Sequence, residues 1–179
     1  IESPLRRTDK EILLWALQIL SAEQHMFDHG YLFRDLKPQN VIIDGKGNVK
    51  LIDFWLAMKV EDAITEGNSN TITGSPYYMP PERIAGHPEG QYSEIYSLGM
   101  LLYLMIARQT YYSTEDINSL VEKHILSPQM LNIAVKLPVN TNLDLIDALE
   151  KMIVRAPQKR FQTYKETGSV LFEIYKACA

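Results

Sequence analysis

Apolar residues recur along this chain with two periods, and the shorter period marks its centre. Val41-Ile42-Ile43 and Lys50-Leu51-Ile52 lie on either side of the turn Asp44-Gly45-Lys46-Gly47-Asn48. Two short apolar runs about a glycine-rich turn predict a β-hairpin with a loop of several residues. A hairpin returns the chain on itself, so Asp35 and Asn40, before the first strand, come near Asp53, after the second. Two carboxylates and an amide oxygen at one end of a hairpin form a hard, oxygen-rich set suited to Mg²⁺.

The longer period predicts helices. Thr8-Asp9-Lys10-Glu11 is a capping box, and Ile12, Leu13, Trp15, Ala16, Leu17, Ile19 and Leu20 follow it with helical spacing on more than one face. His29-Gly30 is the expected stop. A second helix, about residues 93–107, is apolar all round and is expected to run buried through the middle of the domain, with Ser93 as its cap and Glu94 at its positive end. Ser113…Asp116, Thr141…Asp144 and Thr163…Glu166 mark three later helix starts, the last two leading into apolar periodic runs. Between hairpin and central helix, Glu66-Gly67-Asn68-Ser69-Asn70-Thr71 is polar and without period, as a loop is. The pattern is mainly α with a small β-hairpin, in one domain over residues 1–179.

Composition narrows the class. A chain of 179 residues, 46% hydrophobic and 22% charged, can bury one proper core. A net charge of −4 gives no reason to expect a nucleic-acid partner. The single cysteine, Cys178, leaves no internal disulfide and suits a reducing compartment. His25 and His29 are four apart on a helix, but no third metal ligand accompanies them. The longest apolar run, Leu98 to Ala107, is shorter than the ~20 residues that span a bilayer, and Ile1 opens no signal-peptide pattern. The expected location is cytoplasmic.

Phe33-Arg34-Asp35-Leu36-Lys37-Pro38-Gln39-Asn40, followed by the hairpin and then Asp53-Phe54, resembles the catalytic loop (33–40) and the metal-binding Asp-Phe-Gly element (53–55) of an eukaryotic-like serine/threonine protein kinase. The Phe-Arg-Asp-Leu-Lys-Pro form is similar to bacterial members of that family. The resemblance implies Asp35 as the catalytic base, Asn40 and Asp53 as metal ligands, and Lys37 as the cation that meets the transferred phosphate and helps hold the nucleotide. It implies ATP with Mg²⁺ or Mn²⁺ as cofactors, Ile42 as the apolar floor under adenine, and a protein Ser/Thr hydroxyl as acceptor. Residues 53–82 resemble the activation segment, closing on Gly74-Ser75-Pro76-Tyr77-Tyr78-Met79-Pro80-Pro81-Glu82. There Ser75 retains the hydroxyl that ties the substrate-docking loop to base and lysine. Arg34 would be the partner of a phosphate on Ser69, Thr71 or Thr73. Glu82 and Arg160 would form a buried ion pair. Taken singly, Asp35, Asn40 and Asp53 also read as a loop anchor, an Asx-turn and a turn cap.

Three departures set further expectations. Phe33 stands where the family has histidine and is expected to pack on Phe54. Trp55 replaces the glycine of Asp-Phe-Gly; a left-handed backbone there would cost ~1–2 kcal/mol and restrict the movement of Asp53. Glu94 replaces an aspartate on the central helix, a change expected to loosen its hold on the catalytic loop. The resemblance covers the C-terminal, larger lobe only, so the family's smaller N-terminal lobe is the implied partner, and the lobe alone is expected to be a poor catalyst. Its uncovered apolar face, around Ile42 and Leu5, is expected to favour self-association. The alternative reading is a pseudokinase or kinase-like binding scaffold.

Overall fold

A computed structural model describes residues 7–65, 74–112, 116–126 and 133–178. Thr71, Thr73, Ser69, Leu5 and Ser113, named above, lie outside the described residues.

Helix α1 (Asp9–Asp28) starts as its sequence dictates: the Thr8 hydroxyl accepts from Glu11 N–H and the Glu11 carboxylate accepts from Thr8 N–H, a closed capping box. It ends at His29, with Gly30 at φ +83°. Two-residue strand β1 (Tyr31–Leu32) follows, then residues 33–37 and a 3₁₀ turn at Pro38–Asn40. Strands β2 (Val41–Ile43) and β3 (Val49–Leu51) pair antiparallel with Val41 opposite Leu51, which is the hairpin of the sequence pattern. Asp44 stabilises its turn by accepting from Lys46 N–H and Asn48 N–H. Strand β4 (Met58–Lys59) pairs antiparallel with β1, and short helix α2 (Val60–Thr65) continues from it.

After helix α3 (Pro81–Ile84), helix α4 (Gln91–Ala107) is buried on every face over Ser93–Tyr103. Helices α1, α6 (Leu143–Ile153) and α7 (Tyr164–Ala177) pack around it; α5 (Ile117–Ile125) packs against α3. Gly99 is what lets α4 and α6 touch: a Cβ there would lie 2.7 Å from Ile153 Cγ2 and 2.9 Å from Met152 Cβ. Among the described residues the fold is mainly helical with two small two-stranded sheets.

Several caps differ from the sequence expectation. Gly90, not Ser93, occupies the N-cap of α4; the Ser93 hydroxyl instead accepts from Gly90 N–H (3.2 Å) and donates to Glu82 (2.7 Å). Asp116 itself caps α5 by accepting from Ser119 N–H, and Asn142, one residue past Thr141, caps α6 through Leu145 N–H. Thr163 caps α7 as expected, but Glu166 reaches back to Gln162 N–H.

A buried acid stands out in the core. Glu23, on α1, is 1% exposed and neither carboxylate oxygen has a partner among the described residues; the nearby Tyr164 hydroxyl is likewise without one among them. Burial, with the charge of Glu94 adding to it, pushes the Glu23 carboxyl well above the usual carboxylate range. A carboxyl whose pKa is raised by folding stabilises the fold below the ordinary carboxylate range, and that stability is lost as pH rises through the raised value. Glu23→Met is therefore expected to stabilise the protein by ~1–3 kcal/mol at neutral pH, because it removes an unsatisfied buried acid. Chemical denaturation at pH 5 and pH 8 checks it: the gain should be larger at pH 8.

Candidate active site

The 3₁₀ turn at Pro38–Asn40 folds the stretch before it back onto itself, and two side chains converge on one carboxylate. Asp35 Oδ2 accepts from Lys37 Nζ (2.7 Å) and from Asn40 Nδ2 (2.8 Å). Asn40 Nδ2 also donates to the Asp35 carbonyl (2.9 Å). Both amide protons of Asn40 are thereby used, which fixes the orientation of the amide and leaves Oδ1 with no hydrogen bond among the described residues. Asp35 Oδ1 is likewise unengaged, so one oxygen of the carboxylate is held and the other is free. Asp35 and Asn40 are buried; Lys37 is partly exposed.

The hairpin brings the third oxygen-bearing residue to the same end. Ile52 N–H donates to the Asn40 carbonyl at 3.0 Å, one step beyond the Val41–Leu51 pair, so the backbone leading into Asp53 lies against Asn40. Asp53 is exposed, makes no ion pair among the described residues, and adopts φ +62°. Asn40 Oδ1 and the Asp53 carboxylate are hard, uncommitted oxygen donors, the chemistry that Mg²⁺ or Mn²⁺ takes. No cluster of three or more His, Cys, Asp or Glu side chains is found among the described residues; this pair with the Asp35 carboxylate is a smaller, mixed set.

Phe33 packs edge-to-face on Phe54, ring centroids 5.4 Å apart, so an aromatic fills the place before Arg34. Trp55 behaves differently from expectation. It is not in the left-handed region, which falls on Asp53 instead, and its indole is 90% exposed. No backbone strain arises from the missing glycine, and the indole lies in solvent. The reason is that the chain makes its left-handed turn two residues before the position the sequence suggested.

Arg34 is also left-handed, at φ +67°, and is held on both sides. Its N–H donates to Glu94 Oε2 at 2.8 Å, and its carbonyl accepts from Arg83. The extra methylene of Glu94 thus reaches the loop rather than loosening it. Burial pushes the Glu94 carboxyl up, while Arg83 and the Arg34 N–H hold it down. The Arg34 guanidinium is already paired with Glu89. Ser75 makes no hydrogen bond to Asp35 or Lys37; it shares with Asp35 a void of ≈ 10 Å³, at the lower limit for one water. Ile42 is 47% exposed at the hairpin, beside exposed Ile52 and Phe54. Glu82 and Arg160 form a buried bidentate pair at 2.7 and 2.9 Å, away from the carboxylates.

A cavity of ≈ 740 Å³ is lined by Trp15, Pro38, Gln39, Tyr78 and Leu104 among others. It does not contain Asp35, Lys37, Asn40 or Asp53. Sequence reading missed Arg83 and Glu89; a loop of Gly, His and Pro between them gives no periodicity from which a contact with Arg34 could be drawn.

Comparison with known proteins agrees with this geometry. The protein kinase domain model matches residues 3–169. The chain is 30% identical to Protein kinase 2 of Dictyostelium discoideum over 88% of its own length and 31% of the relative's. It is 33% identical to serine/threonine-protein kinase gad8 of Schizosaccharomyces pombe, covering 80% of this chain and 24% of that protein. It is 32% identical to the probable serine/threonine-protein kinase PknB of Lactococcus lactis, covering 79% and 22%. The chain spans less than a third of the length of these relatives. With the family's motif residues gathered at one end of a hairpin and the family model running over nearly the whole chain, this chain belongs to the protein kinase family.

Proposed function

We propose that this chain is the C-terminal lobe of a serine/threonine protein kinase, whose parent protein transfers the γ-phosphate of ATP to a protein hydroxyl. The single observation that carries the reading is the shared carboxylate: Lys37 and Asn40 both hold Asp35 Oδ2, leaving Oδ1 without a hydrogen bond among the described residues. Asn40 and Asp53 would hold Mg²⁺ or Mn²⁺. When bound, the metal supplies charge neutralisation on the nucleotide phosphates. Asp35 orients the incoming hydroxyl and accepts its proton at Oδ1. Lys37, two residues on, carries positive charge to the place where negative charge gathers, and its own hydrogen bond to Asp35 keeps it there. A lysine at this position followed by Pro38 supports serine or threonine as acceptor. Ile42, exposed on the hairpin, would underlie adenine, and the apolar surface of Ile42, Ile52 and Phe54 is the face a smaller lobe would cover. Without that lobe the chain offers half a nucleotide cleft, so the isolated lobe should be inactive.

A cytoplasmic location suits the reading; among the described residues no helix is long and apolar enough to cross a membrane. A second reading, a kinase-like scaffold, is favoured by Ser75, whose hydroxyl does not reach Asp35 or Lys37. Transfer of labelled phosphate by the full-length protein to serine, threonine and tyrosine peptides tests the choice. Transfer to serine or threonine supports the enzyme; nucleotide binding without transfer supports the scaffold.

A further inference from the structure

Behind Arg34 lies a buried ionic cluster that the sequence did not reveal. Arg34 Nε and Nη2 donate to Glu89 Oε1 at 3.1 and 2.7 Å, and Nη1 points at Met58 Sδ at 3.3 Å. Arg83 Nε donates to the other oxygen of Glu89 at 2.6 Å, so both oxygens of that carboxylate are taken by guanidinium groups. Arg83 also donates to the Arg34 carbonyl and reaches Glu94 Oε1 at 3.4 Å. Two guanidiniums and two carboxylates cancel, and all four side chains are largely out of solvent. The backbone joins in: Glu89 N–H donates to the Ala63 carbonyl at 2.9 Å, on α2. Glu89 therefore touches the catalytic loop through Arg34, the α3 helix through Arg83 and the segment after Asp53 through Ala63.

We propose that Glu89 is a positioning residue, the permanent anion of Arg34, and that it holds the catalytic loop and the segment Met58–Thr65 together in the place where a loop phosphate would otherwise do so. A phosphate orders a loop by recruiting guanidinium groups that lack a partner. Here the arginine that would receive it is already matched by a buried carboxylate, and the cluster carries no surplus positive charge to attract a dianion. Displacing Glu89 would leave a buried acid unpaired, which is the costlier arrangement. The left-handed backbone of Arg34, gripped at its N–H by Glu94 and at its carbonyl by Arg83, is thus set by residues of this chain alone. The consequence for regulation rests on the phosphotransfer reading; the geometry does not.

Hydrogen exchange of the full-length protein, read over residues 33–37 and 58–65, tests it without requiring activity. In the wild type, phosphatase treatment and added inorganic phosphate should leave both segments unchanged. Glu89→Gln should exchange faster by about tenfold or more, since one partner of a buried pair loses its charge. Glu89→Asp should sit between the two. In Glu89→Ala, formate should restore protection by refilling the anion site, a rescue that lost packing alone would not show. Phosphatase-induced loosening of the wild type would overturn the proposal, as would unchanged exchange in Glu89→Gln or formate indifference in Glu89→Ala. Should the variants fail to fold, the phosphatase arm on the wild type still decides. Phosphate transfer is measured on the same samples; its absence throughout would refute the kinase reading while the exchange result judges Glu89 separately.

Discussion

Asp35→Asn in the full-length protein should lower kcat for phosphate transfer by about 10²–10⁴-fold, the range for loss of a positioned proton acceptor. In the proposed function the free oxygen Oδ1 takes the hydroxyl proton, and an amide at this place cannot do so. The other oxygen has a different task. It accepts from Lys37 and Asn40 at 2.7 and 2.8 Å, and an asparagine that keeps its carbonyl oxygen toward them preserves those contacts. The loss should therefore fall on kcat, with KM for nucleotide changed little and the melting temperature nearly so. Steady-state kinetics with thermal denaturation separates these effects. Equal activity of wild type and variant would remove Asp35 from the chemistry.

The largest effect on stability is expected at the first turns of α4, beside Ser93 and Tyr96. Arg160 makes five hydrogen bonds: two to Glu82 and one each to the carbonyls of Val154, Arg155 and Tyr92. Its guanidinium also lies 4.7 Å from the Tyr96 ring centroid, and the Arg160 and Glu82 side chains are 0% and 3% exposed. Arg160→Met leaves the Glu82 carboxylate with Ser93 as its remaining partner, a charge buried without a countercharge. Breaking a buried pair in this way costs ~3–5 kcal/mol. At ~2–4 °C per kcal/mol for a domain of this size, the melting temperature should fall by about 6–20 °C. Replacing both members with apolar residues should recover part of that, because no orphaned charge remains. Differential scanning fluorimetry of the single and double variants makes the comparison.

How much could be read from the letters depended on the range of the interaction. The α1 capping box lies within four residues, and the hairpin within eleven, so local chemistry alone placed them. The central helix was visible because a helix apolar on every face has few other places to go. Cap positions slipped by one to three residues where neighbours could compete: Thr141 and Asn142 are both capable, and Ser93 was drawn away by Glu82. Strands β1 and β4, two residues each, are too short for any period to show. At the site, Asp35, Lys37 and Asn40 were legible as a contiguous motif. The cost expected of Trp55 was misplaced because backbone dihedrals are set by the whole turn, not by one letter. The partner of Arg34 was illegible because it lies 55 residues away, in a loop without pattern.

The proposed function requires Asn40 and Asp53 to share one divalent ion beside Asp35. Electron paramagnetic resonance of Mn²⁺ with ATP, titrated into the full-length protein, reads that most directly. Mn²⁺ should bind, with an affinity that falls at least about tenfold in Asp53→Ala and in Asn40→Leu, in line with the loss of a direct oxygen ligand. Mn²⁺–ATP held as tightly by both variants as by the wild type would contradict it.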